Sequence, residues 1–560
     1  MEFEAGIVGR LTKIQTLPWF TVGKETGPTM EELGGLKHLR GHLIIYRLER
    51  ARDGEEAKSA CLMEKSQLSE LTCTWTYDEP PNDNETDVLD GLKPHLNLQS
   101  LNIEYFKGAR LPSWITGLQN LKKIGLDNCN NCEGIPTLGH LPNLRSLYIE
   151  MNKLIRLGAE FYGTGTTSFR ALKTLYINKC QELIEWISAE GEVVVVFPRL
   201  DELHLSDCPK LRNAPSRFPR LKRLVMYGLG NSMPVENISA QLTTLTNLKI
   251  SGVKGLTCLP EAILNSNNSL THLEVSDCDE LTCIALDVSD TLPLLEELRI
   301  EDCLSLESIR ITQGIASLRQ LNIDGCEALS SLEVGLDYCT SLQELDIHHC
   351  PNLMSIPTAQ GMPSLQILKI WACEGLSSIG SGLNYCTSLQ ELEIGHCHNL
   401  TSIPITQGIP SLRSWKVSHC QRLLCLPSVL QFCTSLQYLN IGPLWEELDA
   451  FPDFQLAPPH DSQNLIGLEA LPEWLGNLTS LESLWLWECE NLKYLPTPNA
   501  MKNLTKLKSL VGISCPLLKE TCTKETGSEW SKISHIPDVR AMKLRNACLP
   551  ELECLFTLQG

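Results

Sequence analysis

An α/β solenoid built on one parallel sheet is what this sequence predicts, and three observations predict it. A nine-residue phrase, Leu-x-x-Leu-x-Leu/Ile-x-x-Cys, returns about every 23 to 24 residues, as LDELHLSDC (200–208), LEELRIEDC (295–303), LQELDIHHC (342–350), LQELEIGHC (389–397) and LESLWLWEC (481–489). Two near-identical blocks, 340–365 and 387–412, stand 47 residues apart, so the duplicated unit is a pair of repeats. The phrase alternates apolar and polar residues over the length of one short strand, and the segments between are too short for long helices.

A fixed period of this length means a leucine-rich-repeat horseshoe, in which stacked rungs share one core. Its strands form a parallel concave β-sheet, and its convex side carries short irregular or 3-10 segments. Regular rungs begin at Leu98, Leu121, Leu144, Leu172, Leu200, Leu221, Leu245, Leu270, Leu295, Leu318, Leu342, Leu365, Leu389, Leu412 and Leu436, then at Leu481 and Leu507. With less regular rungs at Leu36 and Leu68, the expectation is about 17–19 repeats. Offsets 0, +3 and +5 point inward, while +2, +4, +6 and +7 face solvent. The divisions expected are irregular N-terminal repeats over 1–97, regular repeats over 98–441, a degenerate repeat or loop over 442–468, C-terminal repeats over 469–539 and a divergent tail over 540–560. Within the first, residues 52–66 have helical composition, and the acidic stretch 78–87 reads as an exposed mobile loop.

The 560 residues carry a formal charge of -20, which argues against a protein that grips nucleic-acid phosphates or an anionic membrane surface. No apolar run reaches the roughly 18 residues of a membrane span, and the N-terminus lacks a signal-peptide core. Half of the 24 cysteines occupy the ninth position of a repeat: Cys129, Cys180, Cys208, Cys278, Cys303, Cys326, Cys350, Cys373, Cys397, Cys420, Cys489 and Cys515. There they read as small buried residues bonding loop backbone, free thiols of a reducing compartment.

Signatures of phosphate-binding loops, serine hydrolases, zinc proteases and kinases are absent, and the reading is of a protein without catalytic residues, cofactor or metal. The lone Cys129-x-x-Cys132 has no second pair. Histidines at +6 and +7 face out while the neighbouring cysteines face in, so the two types cannot share an ion. Along +4, Asp346, Lys369, Glu393 and Lys416 alternate in sign, which reads as a salt-bridge ladder worth roughly 0.2–1 kcal/mol per pair. The candidates for a partner-binding concave face are His348, His349, Trp371, His396, His419, Tyr438, Trp485 and Trp487, because exposed aromatics anchor protein interfaces.

The wording between rungs is specific. The run 9–75, with DVLDGLKPHLNLQSLNIEYFKGARLPSWI (87–115), GLEALPEWLGNLTSLESLWLWECENLKYLP (467–496) and LKETCTKETGSEWSKISHIPDV (518–539), resembles the repeats of plant coiled-coil-class nucleotide-binding leucine-rich-repeat disease-resistance proteins. The resemblance covers roughly residues 9–539. It implies an intracellular innate immune receptor, cytoplasmic or nuclear, whose repeats sense a pathogen effector or modified host protein and restrain a nucleotide-binding module in cis or trans. That module would precede the repeats and is not in this sequence, so ATP or ADP binding is not carried over. An uncapped first rung predicts poor solubility. The alternatives are a truncated, decayed relative keeping the fold only, and a substrate adaptor of a ubiquitin ligase, which would show an F-box-like segment. A receptor-kinase ectodomain would need a signal peptide and a membrane span.

Overall fold

The computed structural model of the chain describes residues 4–24, 27–80, 82–163, 167–188, 195–286, 292–311, 315–423, 427–442 and 469–542. The chain divides into two compact units, Met1–Glu280 with Asp290–Leu294, and Leu281–Ser289 with Leu295–Gly560.

In the first unit eleven parallel strands follow one another: Trp19–Thr21, Arg40–Tyr46, Gln67–Thr74, Ser100–Glu104, Lys123–Asp127, Ser146–Ile149, Thr174–Asn178, Glu202–Ser206, Arg223–Tyr227, Asn247–Ser251 and His272–Ser276. In the second unit ten do so: Glu297–Glu301, Gln320–Asp324, Glu344–His348, Ile367–Trp371, Glu391–Gly395, Ser414–Ser418, Tyr438–Ile441, Ser483–Trp487, Ser509–Ile513 and Asp538–Met542. The fold is a leucine-rich-repeat solenoid. Trp19–Thr21 and Asp538–Met542 are strands no rung phrase announced. The latter carries the last repeat past residue 540, where a divergent tail was expected.

Register follows the phrase. Leu345 pairs with Leu368 and Leu368 with Leu392, so +3 stands beside +3 and each Leu stacks on the next. The core ladder is longer than the phrase. Besides 0, +3, +5 and +8, it takes an apolar residue three before most rungs, such as Leu118, Phe197 or Ile409, and often a Leu at +11, such as Leu211 or Leu400, all buried. This −3 position also holds Cys339, Cys386 and Cys433, 47 residues apart.

The residue at +7 leaves the strand in the left-handed conformation rung after rung: Asn128, Asp207, Gly228, Gly252, Asp302, Gly325, His349, Ala372, His396 and His419 all have φ between 46° and 64°. Its N–H reaches the next rung, as His349 N to Trp371 O at 2.9 Å. Gly, Asn and Asp tolerate this backbone, whereas other residues are held there at roughly 1–2 kcal/mol.

All twelve ninth-position cysteines are buried free thiols. Several share their one S–H between two acceptors, the carbonyl two residues back and that of the preceding rung's +5 residue. Cys373 Sγ reaches Trp371 O at 3.5 Å and Ile347 O at 3.7 Å, and Cys515 Sγ reaches Ile513 O at 3.4 Å and Leu486 O at 3.5 Å. Burial pushes the Cys326 thiol up to about 11 and Cys132 to about 12. Among the described cysteines, site-mapped labelling of the native chain with an aromatic disulfide reagent should therefore modify exposed Cys258 first, and the ladder cysteines only after unfolding. Prompt labelling at Cys350 or Cys397 would contradict the ladder.

The opposite side carries 3-10 turns such as Ser113–Gly117, Leu336–Tyr338, Ser381–Tyr385 and Glu473–Asn477. It also has short α-helices and small accessory sheets, one of them joining Cys283–Ala285, Ser308–Ile311 and Ser331–Val334. A helix runs over Gly54–Ser59, with the Asp53 carboxylate accepting from Glu56 N at 2.8 Å. The acidic stretch 78–87 is not a free loop throughout. Glu85 opens the helix Glu85–Gly91, is 1% exposed, and accepts from Asn82 N and Lys107 N. Strands Tyr438–Ile441 and Ser483–Trp487 pair directly. Residues 443–468 and 543–560 lie outside the described residues.

Candidate recognition face

Five of the eight candidates fall on four successive rungs of the second unit, where register sets the +6 residues side by side. Asp324 pairs with His348, His348 with Trp371, and Trp371 with Gly395. The left-handed turn then leans each +7 side chain toward the rung before. The His396 ring lies 5.0 Å from Trp371, and His419 stacks on His396 at 4.2 Å with 7° between planes. Trp371, His396 and His419 thus form one continuous half-buried row.

Trp371 is neither fully exposed nor covered by a loop. Its indole lies over Gly395, where a Cβ would overlap the six-membered ring. Burial first, then the neighbouring His396 and His398, lowers the His419 pKa from 6.5 to about 4. The unfolded chain therefore takes a proton near pH 6.5 that the folded chain refuses until about pH 4. Stability from this group is complete above pH 6.5 and is lost as pH falls toward 4. In urea titrations, wild type should lose stability across that window relative to His419→Asn, a residue that keeps the left-handed turn. Parallel pH profiles would contradict this.

His348 is half-buried and His349 exposed. His348 Nε2 stands 2.6 Å from Asp346 Oδ1, an ion-pair distance, but the two are not aligned as a hydrogen bond, and each is a buried atom without a hydrogen-bond partner. Burial lowers the His348 pKa, but Asp346 and then Asp324 outweigh it and the net shift is upward. His349 Nδ1 lies 2.9 Å from Asp324 Oδ1.

The other three candidates stand apart from this row. Tyr438 is 49% exposed at the edge position of its strand. Trp485 and Trp487 are half-buried and stack on each other at 6.3 Å, while Trp487 Nε1 is buried without an acceptor among the described residues.

The charge ladder has the expected register but not all the expected contacts. Glu393 binds Lys416 at 3.1 Å, and Lys249 binds Glu274 at 2.7 Å on paired strands. Asp346 turns to His348 instead, and Lys369 makes no ion pair with either neighbour.

Two further features went unread in the sequence. In the first unit the +4 positions Tyr148, Tyr176 and His204 form a second row, with Tyr176 and His204 stacked at 4.4 Å. Tyr148 donates to the buried Glu150 carboxylate at 2.5 Å, which Asn178 and Lys179 also approach. On the opposite side of the second unit, Tyr338, Tyr385 and Phe432, the last residues of successive 3-10 turns, are 55–58% exposed. The first row was legible as aromatic residues at one offset; the second only from the 47-residue spacing.

The Tyr148 row lies on strands, and the Tyr338 row lies at the ends of 3-10 turns. Residues 30–152 match the family of R13L1/DRL21 leucine-rich repeats, and residues 244–379 match the leucine-rich repeats of RPS2-like plant disease resistance proteins. In these two segments the repeats are similar to those of plant disease-resistance proteins. Over 271 residues the chain is 34% identical to the putative disease resistance protein RGA4 of Solanum bulbocastanum, covering 46% of this chain and 26% of that protein. It is 32% identical over 231 residues to the putative disease resistance RPP13-like protein 1 of Arabidopsis thaliana, covering 38% and 22%. The chain thus spans about a quarter of the length of the relatives it matches. Among solved structures, a Leptospira interrogans leucine-rich-repeat protein is similar at 17% identity and TM-score 0.39, covering 86% of this chain and 91% of that one. Among the described residues no helix is long and apolar enough to cross a membrane.

Proposed function

We propose that the chain is the non-catalytic recognition portion of an intracellular plant disease-resistance receptor, acting in the cytoplasm or nucleus. It binds a pathogen effector or a modified host protein on the strand face of its second unit, and works with a nucleotide-binding module in cis or trans. The Trp371–His396–His419 row carries this reading. It is aromatic, held in place by Gly395 and by backbone geometry, so binding would order few side chains.

Split-luciferase complementation in leaf cells, against a panel of pathogen effectors and host proteins, tests the proposal. The triple variant Trp371→Ala, His396→Ala, His419→Ala should abolish the signal of a partner that Tyr338→Ala, Tyr385→Ala, Phe432→Ala leaves intact. If every positive partner is indifferent to the first triple, the reading is wrong.

A further inference from the structure

We propose that Asp324, His348 and His349 form a binding site for a divalent transition-metal ion of the zinc class, with Asp346 as the carboxylate that positions the His348 ring. The neighbouring cysteines face inward, and the register brings the histidines together with Asp324 instead. Asp324 and His348 are adjacent at +6, and the left-handed backbone of His349 returns its imidazole to the same place. One ligand atom from each of the three lies within 4.8 Å of the others.

A tetrahedral ion with bonds of about 2.0–2.2 Å needs ligand atoms about 3.3 Å apart. His349 Nδ1 and Asp324 Oδ1 are already at 2.9 Å, and both side chains are exposed enough, at 61% and 44%, to close on an ion by small rotations. Two imidazoles and a carboxylate are a donor set suited to zinc, with a fourth position left for water or for a partner's side chain. The surroundings favour a cation. Glu301 precedes Asp324 in the +6 row, Asp346 follows at +4, and the nearby Arg299 is engaged by Glu297 and Glu301. In a loaded site a small turn of the His348 ring would convert its 2.6 Å approach to Asp346 Oδ1 into a carboxylate–imidazole hydrogen bond. A carboxylate against the second nitrogen of a ligating imidazole fixes the ring's tautomer and orientation. A bound ion would clip the strands Gln320–Asp324 and Glu344–His348 together beside Trp371.

The test is zinc titration of the full chain at pH 7 under reducing conditions, with cobalt(II) as the spectroscopic probe. Wild type should bind one zinc ion more tightly than any other site on the chain. His348→Gln and His349→Gly, the latter suited to the left-handed turn, should each weaken it roughly ten- to hundred-fold, as should Asp346→Asn. His396→Ala should leave it unchanged, and circular dichroism should show all four folded. Cobalt should give visible d–d bands without a sulfur-to-metal charge-transfer band. Absence of saturable binding, wild-type affinity in both histidine variants, or a thiolate band placing the ion among the cysteines would each overturn the site.

Discussion

Phe197→Ala is expected to cost the first unit about 3–5 kcal/mol, the largest effect of any single substitution considered. The side chain is fully buried at the −3 position of the Leu200 rung. It stacks on Phe169 at 5.1 Å and on Phe218 at 5.8 Å, with Tyr162 and Trp186 edge-on at 6.0 and 6.1 Å. Five rings from successive repeats thus meet in one place, and truncation would leave a cavity that none can fill without leaving the others. A repeat contacts mainly its neighbours, so the loss should be local. Hydrogen exchange should quicken in peptides from 167–227 and stay near wild type in peptides from 344–418. Equal acceleration in both would contradict nearest-neighbour stacking.

Gly395→Ala should destabilise the second unit by about 1–3 kcal/mol, although its backbone is ordinary extended strand. The added methyl would occupy the space of the Trp371 ring, and the ring would have to leave the face. A double-mutant cycle separates this from a general cost of the methyl. In a Trp371→Ala background, Gly395→Ala should be nearly neutral, giving a coupling energy about equal to the single-variant cost. Additive losses would show that Gly395 is needed for something other than the tryptophan.

Where one residue type repeats at one offset, the sequence was readable. The Leu ladder at 0 and +3, the Leu or Ile at +5 and the Cys at +8 are in the core as expected, because an apolar period is a direct imprint of burial. The strand register followed from the same period, so Asp346, Lys369, Glu393 and Lys416 do stand side by side. What they touch did not follow, because contact depends on rotamers, and Asp346 chose His348 over Lys369. The left-handed residue at +7 was signalled by Gly228, Gly252, Gly325, Asn128 and Asp207, but the histidines at the same offset hid it. That turn gathers His349, His396 and His419 onto the rung before, so where these side chains meet was less legible than the offsets they occupy. Trp371 looked exposed because its cover is a glycine one rung on, and no single repeat contains both. The terminal strands were missed because Trp19–Thr21 and Asp538–Met542 pair through their backbones without the Leu-x-x-Leu phrase.

The most direct test of recognition by the second unit's strand face is the affinity of a partner found in the leaf assay, measured by calorimetry against three forms of the full chain. Replacing Trp371, His396 and His419 by alanine should weaken binding by about 2 kcal/mol or more, roughly thirty-fold. Replacing Tyr338, Tyr385 and Phe432 should leave it within about two-fold of wild type, near 0.4 kcal/mol. The opposite pattern, with affinity lost from the 3-10 side and kept on the strand face, would contradict the account.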